Sequence, residues 1–300
     1  MRKSGAYTVF SNKNCREAVP TSLEFWRMRA SKQYPADAPG IPCDEDLRPF
    51  AKYAEQLRRA ETASGKPGLL LGATRQTADW CRENGLRVTM MDFCEAVAWD
   101  FASTYKEWEG LEIILDNWLT TAHADNSFSW AAGDGVINAV GPGRNANHLF
   151  RQLRRLLLPG SIVILRHMLR SSPTPALSEV FAKLAMGGIH SFGAFRHQIS
   201  HSVQSSFMDG VATRAVYRVL LESGVLDNDP KGRFGWPADQ LARLEYWAIE
   251  GASLCYPTLE ELRNLTETYF EELEISHGDY EMAGLSPTIV YRTRPDSKNL

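Results

Sequence analysis

The apolar positions of this 300-residue chain change their period twice. Leu47, Phe50, Ala54 and Leu57 fall three, four and three residues apart, the spacing of one helix face, and Asp44 is placed to cap the start of that helix. SGKP at 64–67 then punctuates the chain. Beyond it, Gly68-Leu69-Leu70-Leu71 is a short, continuously apolar run that predicts a buried strand ending at Gly72. Thr77 to Asn84 predicts a helix stopped by Gly85, which suits the left-handed position after a helix. Leu86–Met91 predicts a second strand, ending at Asp92, and Leu111–Leu115 a third, with a helix around Glu95–Tyr105 between them. Phe128–Ala132 predicts a fourth strand that runs into Gly133-Asp134-Gly135. From Asn145 to Leu158 the residues Leu149, Phe150, Leu153, Leu156 and Leu157 return to helical spacing. Pro159-Gly160 stops this helix, and Ser161–Leu165 predicts a fifth strand.

Strand–helix units with short connections imply an α/β fold: a parallel sheet with helices on both faces. The rhythm breaks at 168–272, a stretch of 105 residues that reads as mostly helical, interrupted by Pro173, Pro175, Pro230, Pro237 and Pro257. Strand signals return only at Leu273–His277 and Thr288–Arg292. The expected organisation is an N-terminal, partly helical extension over 1–63, a sheet domain over 64–167 and 273–296, and a helical cap over 168–272. The cap is inserted between the fifth and sixth strands. No repeat or low-complexity tract is visible.

Composition narrows the function classes. Lys and Arg number 33 against 36 Asp and Glu, so the surplus of basic charge expected of a nucleic-acid binder is missing. No apolar run reaches the roughly 18 residues of a membrane span, and MRKSGAYTVF breaks at once into SNKN, without a signal-peptide core. Cys15, Cys43, Cys81, Cys94 and Cys255 are widely spaced and form no Cys-x-x-Cys. They read as reduced thiols of a cytoplasmic protein, and no metal site is expected from them.

In an open parallel sheet, ligands sit beyond the carboxyl ends of the strands. Gly72-Ala73-Thr74 follows the first strand, and Asp92 ends the second, 20 residues after Gly72. A carboxylate there can accept from both hydroxyls of a ribose, although by itself Asp92 reads equally well as a helix cap. The chain has neither G-x-G-x-x-G nor a G-x-x-x-x-G-K-[ST] loop, so backbone shaped for pyrophosphate is absent from its motifs. This counts against a nicotinamide-dependent oxidoreductase and favours a nucleoside cofactor without phosphates, such as S-adenosylmethionine.

GKPGLLLGATRQTADWCRENGLRVTMMDF resembles the first β-α-β unit of class I S-adenosylmethionine-dependent methyltransferases, in a branch where the glycine loop is reduced to L-L-G-x-T. DNSFSWAAGDGVINAV is similar to the fourth-strand segment of that family, and HLFRQLRRLLLPGSIVILRH to the helix, turn and fifth strand that follow. CYPTLEELRNL and GDYEMAGLSPTIVYRTR resemble the closing segments; the likeness covers roughly 68–167 and 255–293. The resemblance implies a Rossmann-like sheet that binds S-adenosylmethionine. By position, it implies that Gly72, Ala73 and Thr74 face the methionine moiety and that Asp92 takes the ribose hydroxyls, with Phe93 near the adenine. Asn117 and Trp118 would flank the adenine, and Asp134 with Gly135 would approach the amino-acid end of the cofactor.

The expected activity is methyl transfer to an oxygen, nitrogen or carbon nucleophile of a small molecule enclosed by the cap. Positioning and water exclusion carry most of such a reaction. The alternative is a methyltransferase-like protein that binds the cofactor without transferring methyl. Neither a nucleic acid nor a membrane is an expected partner, and a homodimer is admitted. His167, beside Arg166 at the end of the fifth strand, is the expected acid–base residue, its pKa lowered by the neighbouring guanidinium. His197 and His201 are spaced i, i+4 and lie near His190; substrate contact or plain helix surface is expected of them ahead of metal binding. Trp26, Tyr34, Trp247 and Tyr256 are expected either to shield a sulfonium or to be ordinary core, and Arg151, Arg154 and Arg155 to form a solvated helix face.

Overall fold

The structure is a computed structural model that describes residues 10–11, 23–31, 38–225 and 234–295. In chain order its helices are α1 (Leu23–Ser31), α2 (Arg48–Ser64), α3 (Arg75–Glu83), α4 (Glu95–Thr104), α5 (Val136–Ala139), α6 (Ala146–Leu156), α7 (Leu177–Ala185), α8 (Phe192–Val203), α9 (Thr213–Glu222), α10 (Ala238–Ala242) and α11 (Leu259–Thr266). Its strands are β1 (Phe10–Ser11), β2 (Gly68–Leu71), β3 (Val88–Asp92), β4 (Leu111–Leu115), β5 (Ala131–Asp134), β6 (Ile162–Arg166), β7 (Val211–Ala212), β8 (Ser253–Leu254), β9 (Phe270–Ser276) and β10 (Thr288–Thr293). The main sheet has the order β1-β4-β3-β2-β5-β6-β10-β9. It is parallel from β1 to β6, while β10 runs antiparallel to both β6 and β9. β2 and β5 are neighbours although chain order reverses between them, which makes their carboxyl ends the switch point of the sheet.

Period-2 alternation builds a core on each face. Leu69, Leu71, Met91, Val163, Leu165, Ile289 and Tyr291 enter one cluster with α6, together with Leu262 of α11. Their neighbours Leu70, Met90, Ile162, Ile164 and Val290 enter the other, with Phe50 and Leu57 of α2 and Ala78 of α3. Burying side chains as large as Phe50 and Leu57 contributes about 1.5–3 kcal/mol each, so the helical spacing read from the sequence is what fastens α2 to the sheet.

Two local expectations change. Asp44 opens a 3-10 turn, Asp44–Leu47, and the carboxylate that accepts the Cys43 backbone N–H, at 3.0 Å, belongs to Asp46. Pro49 sits in the first turn of α2, where a missing N–H costs nothing. Phe128 makes only a single bridge, to Leu157, so β5 starts at Ala131.

The third apolar cluster lies in the insertion and also draws in the N-terminal part of the chain. Phe25 of α1 packs with Val180, Phe192, Phe195, Val216, Trp236, Trp247 and Tyr256. β7 and β8 pair antiparallel within this layer. Leu262 of α11 sits in the sheet core rather than in this cluster. Among the described residues, no helix is long and apolar enough to cross a membrane.

Candidate functional site

A cleft of about 690 Å³ opens at the carboxyl ends of β2, β3 and β5. Gly72, Ala73, Thr74, Asp92, Trp118, Asp134 and Gly135 line it from the sheet side. Arg196, His197, Tyr246, Trp247 and Tyr256 line it from the cap, and Phe25, Trp26 and Arg29 from α1.

Gly72 adopts φ +84°, which L side chains rarely adopt. A Cβ added there would stand 3.4 Å from the Trp118 ring and 3.9 Å from Asp92 Oδ2, so this glycine keeps a slot between those two side chains. The slot is rigid. The Met91 carbonyl accepts from the Gly72 backbone N–H at 3.0 Å and from the Trp118 indole N–H at 2.8 Å.

Asp92 both caps a turn and faces the cleft. Its Oδ1 accepts the Cys94 N–H at 2.8 Å, forming the turn that leads into α4, while the residue also lines the cleft. Burial pushes its pKa up to about 7, against the lowering effects of the Cys94 N–H and the Arg29 charge.

Asp134 also lines the cleft, and its carboxylate accepts from Arg166 at 2.6 Å. Gly135 has φ +59° and lies under Met168, whose Cε would be 2.7 Å from an added Cβ. Asn138, one turn into α5, escaped sequence reasoning because an isolated amide carries no motif. Its Nδ2 donates to the carbonyls of Met168 and Cys255, both at 2.7 Å, and its Oδ1 accepts the Met168 N–H at 3.0 Å. This one side chain fastens the cap to the sheet edge at the wall of the cleft.

Two expected cofactor residues stand outside the cleft wall. Asn117 is buried in the turn after β4, where its Oδ1 accepts the Leu119 N–H at 2.9 Å and Asp116 accepts both the Asn117 N–H and the Thr121 hydroxyl. The Asn117 amide therefore builds the turn that aims Trp118. Phe93 meets the edge of Trp26, at 6.3 Å between ring centroids, and so braces α1.

His167 is a further correction. Strand alternation continues one residue past β6, so His167 follows Val163 and Leu165 to their face of the sheet, and Arg166 follows Ile162 and Ile164 to the other. His167 is fully buried, with Nε2 3.3 Å from the Tyr291 hydroxyl, and it is absent from the cleft wall. Burial first, and the Arg166 charge second, push its pKa down to about 3.

The imidazole at the cleft is that of His197, which is 3 % exposed. Its pKa is held well below the ordinary value by burial and by the charges of Arg196, His201 and Arg166. His201 packs on Tyr256 behind it, while His190 stands on the surface near Glu281. Trp26, Trp247 and Tyr256 line the cleft, whereas Tyr34 lies outside the described residues. The three arginines of α6 do not share one environment. Arg151 is exposed, Arg155 pairs with Asp125 at 2.7 Å, and Arg154 is buried with its Nε donating to the Arg294 carbonyl at 2.6 Å. Burial of Arg154 corrects the solvated face expected there. Among the described residues, no three His, Cys, Asp or Glu side chains converge as a metal set.

No family model and no curated protein matches this chain. Solved structures do. The CcbJ methyltransferase from Streptomyces caelestis superposes with a TM-score of 0.54 at 15% identity, over 92% of this chain and 99% of that one. A structure from Rhodobacter sphaeroides, named as a candidate Zn-dependent alcohol dehydrogenase, gives a TM-score of 0.56 at 15% identity, again over 92% and 99%. A SAM-dependent methyltransferase from Methanosarcina mazei matches over 84% of this chain and all of its own, at 14% identity and a TM-score of 0.49. The fold is that of the class I methyltransferases. At such identities the likeness is one of fold, and the differing names make the point that chemistry has to be argued from the site.

Proposed function

We propose that the chain is an S-adenosylmethionine-dependent methyltransferase acting on a small molecule. The observation that carries this reading is the slot bounded by Gly72, Trp118 and Asp92, which opens into a cleft roofed by aromatic side chains. The residues fit the cofactor. Asp92 can accept from the ribose hydroxyls, Trp118 offers a fixed flat face, Gly72 leaves the backbone bare, and Asp134 with Gly135 stands where an amino-acid end needs polar partners. When bound, S-adenosylmethionine supplies an electrophilic methyl group on a sulfonium. In this reading the sheet domain holds it, while α1 and the insertion after residue 167 close the cleft. The chain's own contribution is alignment of the acceptor and exclusion of water. His197, neutral at physiological pH, accepts a hydrogen bond or a proton from the nucleophile.

Calorimetry on the full chain tests the reading, with S-adenosylhomocysteine as ligand and NAD as control. Binding of the first and not of the second is expected. Incubation with S-adenosylmethionine and a metabolite extract should then release S-adenosylhomocysteine. NAD binding without an adenosyl response overturns the reading, and adenosyl binding without product favours a module that binds the cofactor without methylating.

A further inference from the structure

The cap wall contains two hydrogen-bond donors with no acceptor among the described residues. The Arg196 guanidinium lies over the Trp247 ring, its central carbon 4.8 Å from the centroid, and both side chains line the cleft. Arg196 Nε and Trp247 Nε1 are buried, and among the described residues neither has a hydrogen-bond partner. Buried polar groups are nearly always satisfied, so an unsatisfied stacked pair facing a cavity calls for a ligand acceptor. The other cations of the cleft region are occupied differently. Arg75 pairs with Asp100 at 2.8 Å, Arg166 is held between Asp134 and Asp46, and the exposed Arg29 acts on Asp92.

We propose that Arg196 and Trp247 recognise a carboxylate on the methyl acceptor, so that the substrate is an anionic small molecule carrying a planar ring. This rests on the methyltransferase reading above. One guanidinium supplies a single charge and a planar fork, which match a carboxylate. A phosphate dianion would leave one negative charge uncompensated by this single guanidinium. The adjacent His197 is neutral and adds no cation. Phe25, Tyr246 and Tyr256 complete the wall with aromatic surface against which a ring packs.

The test uses the full chain with S-adenosylhomocysteine present and two probe pairs, 4-hydroxybenzoate with 4-hydroxybenzamide and indole-3-acetate with indole-3-acetamide, measured by calorimetry. At least one acid should bind about tenfold or more tighter than its amide, the scale of one charge-assisted pair. Arg196→Gln should erase that difference while affinity for S-adenosylhomocysteine holds. Arg196→Lys should keep part of it, and Trp247→Phe should weaken the acid alone. Acids that bind no better than amides, or that do not bind, overturn the proposal. So does an Arg196→Gln chain that loses S-adenosylhomocysteine, because the arginine would then serve the cofactor. Failure of the unmodified chain to bind S-adenosylhomocysteine sinks the underlying reading instead. If Arg196→Gln does not fold, the acid–amide contrast in the unmodified chain and in Trp247→Phe decides.

Discussion

Arg166 donates to Asp134 across 2.6 Å, between side chains that are 3% and 10% exposed. The same guanidinium has its Nε 3.2 Å from Asp46 Oδ2, and it donates to the Pro39 carbonyl at 2.6 Å and to the Tyr280 hydroxyl at 3.1 Å. One residue at the end of β6 therefore joins the cleft wall to the segment ahead of α2 and to the β9–β10 connection. Placing a guanidinium between two carboxylates also fixes how Asp134 is presented to the cleft.

Arg166→Met should cost about 3–5 kcal/mol, because it leaves Asp46 buried and Asp134 at the cleft wall without their shared cation. Urea unfolding followed by tryptophan fluorescence measures it. Tyr280→Phe, which removes a neutral hydroxyl that accepts from that guanidinium and donates to Asp46, should cost less, about 1–2 kcal/mol. Equal losses in the two variants would show that the charge is not what binds these segments.

Asp92→Ala should weaken S-adenosylhomocysteine binding by about 1.5–3 kcal/mol, the scale of hydrogen bonds to a charged group. The pH dependence separates binding from stability. With its folded pKa raised from 3.8 to about 7, Asp92 ionises earlier in the unfolded chain than in the folded one. Its contribution to stability therefore falls as pH rises from about 4 to about 7 and is level above that. Ribose hydroxyls donate to the ionised form, so cofactor affinity should rise through the same window. Asp92→Asn should remove this group's part of both curves and raise the melting temperature of the ligand-free chain at pH 8, while binding weakens by no more than in Asp92→Ala.

Gly72→Ala should cost about 1–2 kcal/mol of stability, because an L side chain is strained at φ +84°. The added methyl also narrows the slot between Trp118 and Asp92. Thermal unfolding and calorimetry should thus register a loss in both stability and affinity. A variant that loses stability but binds normally would place the cofactor elsewhere in the cleft.

β2 and β6 were legible in sequence because Leu69–Leu71 and Ile162–Leu165 are continuous apolar runs, and β2 and β3 because Gly72 and Asp92 mark where they end. β2 and β4 occupy the residues expected of them, Gly68–Leu71 and Leu111–Leu115. Gly72 and Asp92 were legible for the same reason, since a residue that ends a parallel strand must emerge at the ligand-bearing edge. What the pattern could not show is which way a side chain turns once the strand is over. Asn117 and Trp118 are adjacent, yet a local turn captures the amide of one and turns the indole of the other into the cleft. Arg196 went unnoticed because its meaning depends on Trp247, about fifty residues further along the chain, and no local spacing records that contact.

The histidines supply the last prediction, and it reverses the expectation drawn from sequence. His167 and His201 have pKa values pushed down to about 3, and His197 is likewise held low, in each case mainly by burial. Below about pH 6.5 the unfolded chain takes up protons that the folded chain refuses. Their contribution is therefore complete above that pH and is lost as pH falls toward 3. Asp92 and Glu61, whose carboxyls burial pushes up, work in the opposite direction, but three buried imidazoles outweigh two carboxyls, so net stability should fall on acidification from pH 6.5 to 5. His167→Gln should make that fall shallower, because one proton uptake is removed. It should leave turnover within about twofold, since His167 touches Tyr291 and no part of the cleft. His197→Gln should instead lower kcat by at least about tenfold, the lower end of what acid–base assistance contributes, while S-adenosylhomocysteine affinity holds. On the proposed activity, the unmodified chain should show no break near pH 6.5 in kcat, because His197 stays neutral there. If His197→Gln turns over normally and His167→Gln does not, proton transfer runs through the sheet face behind β6, and the cleft imidazole serves packing alone.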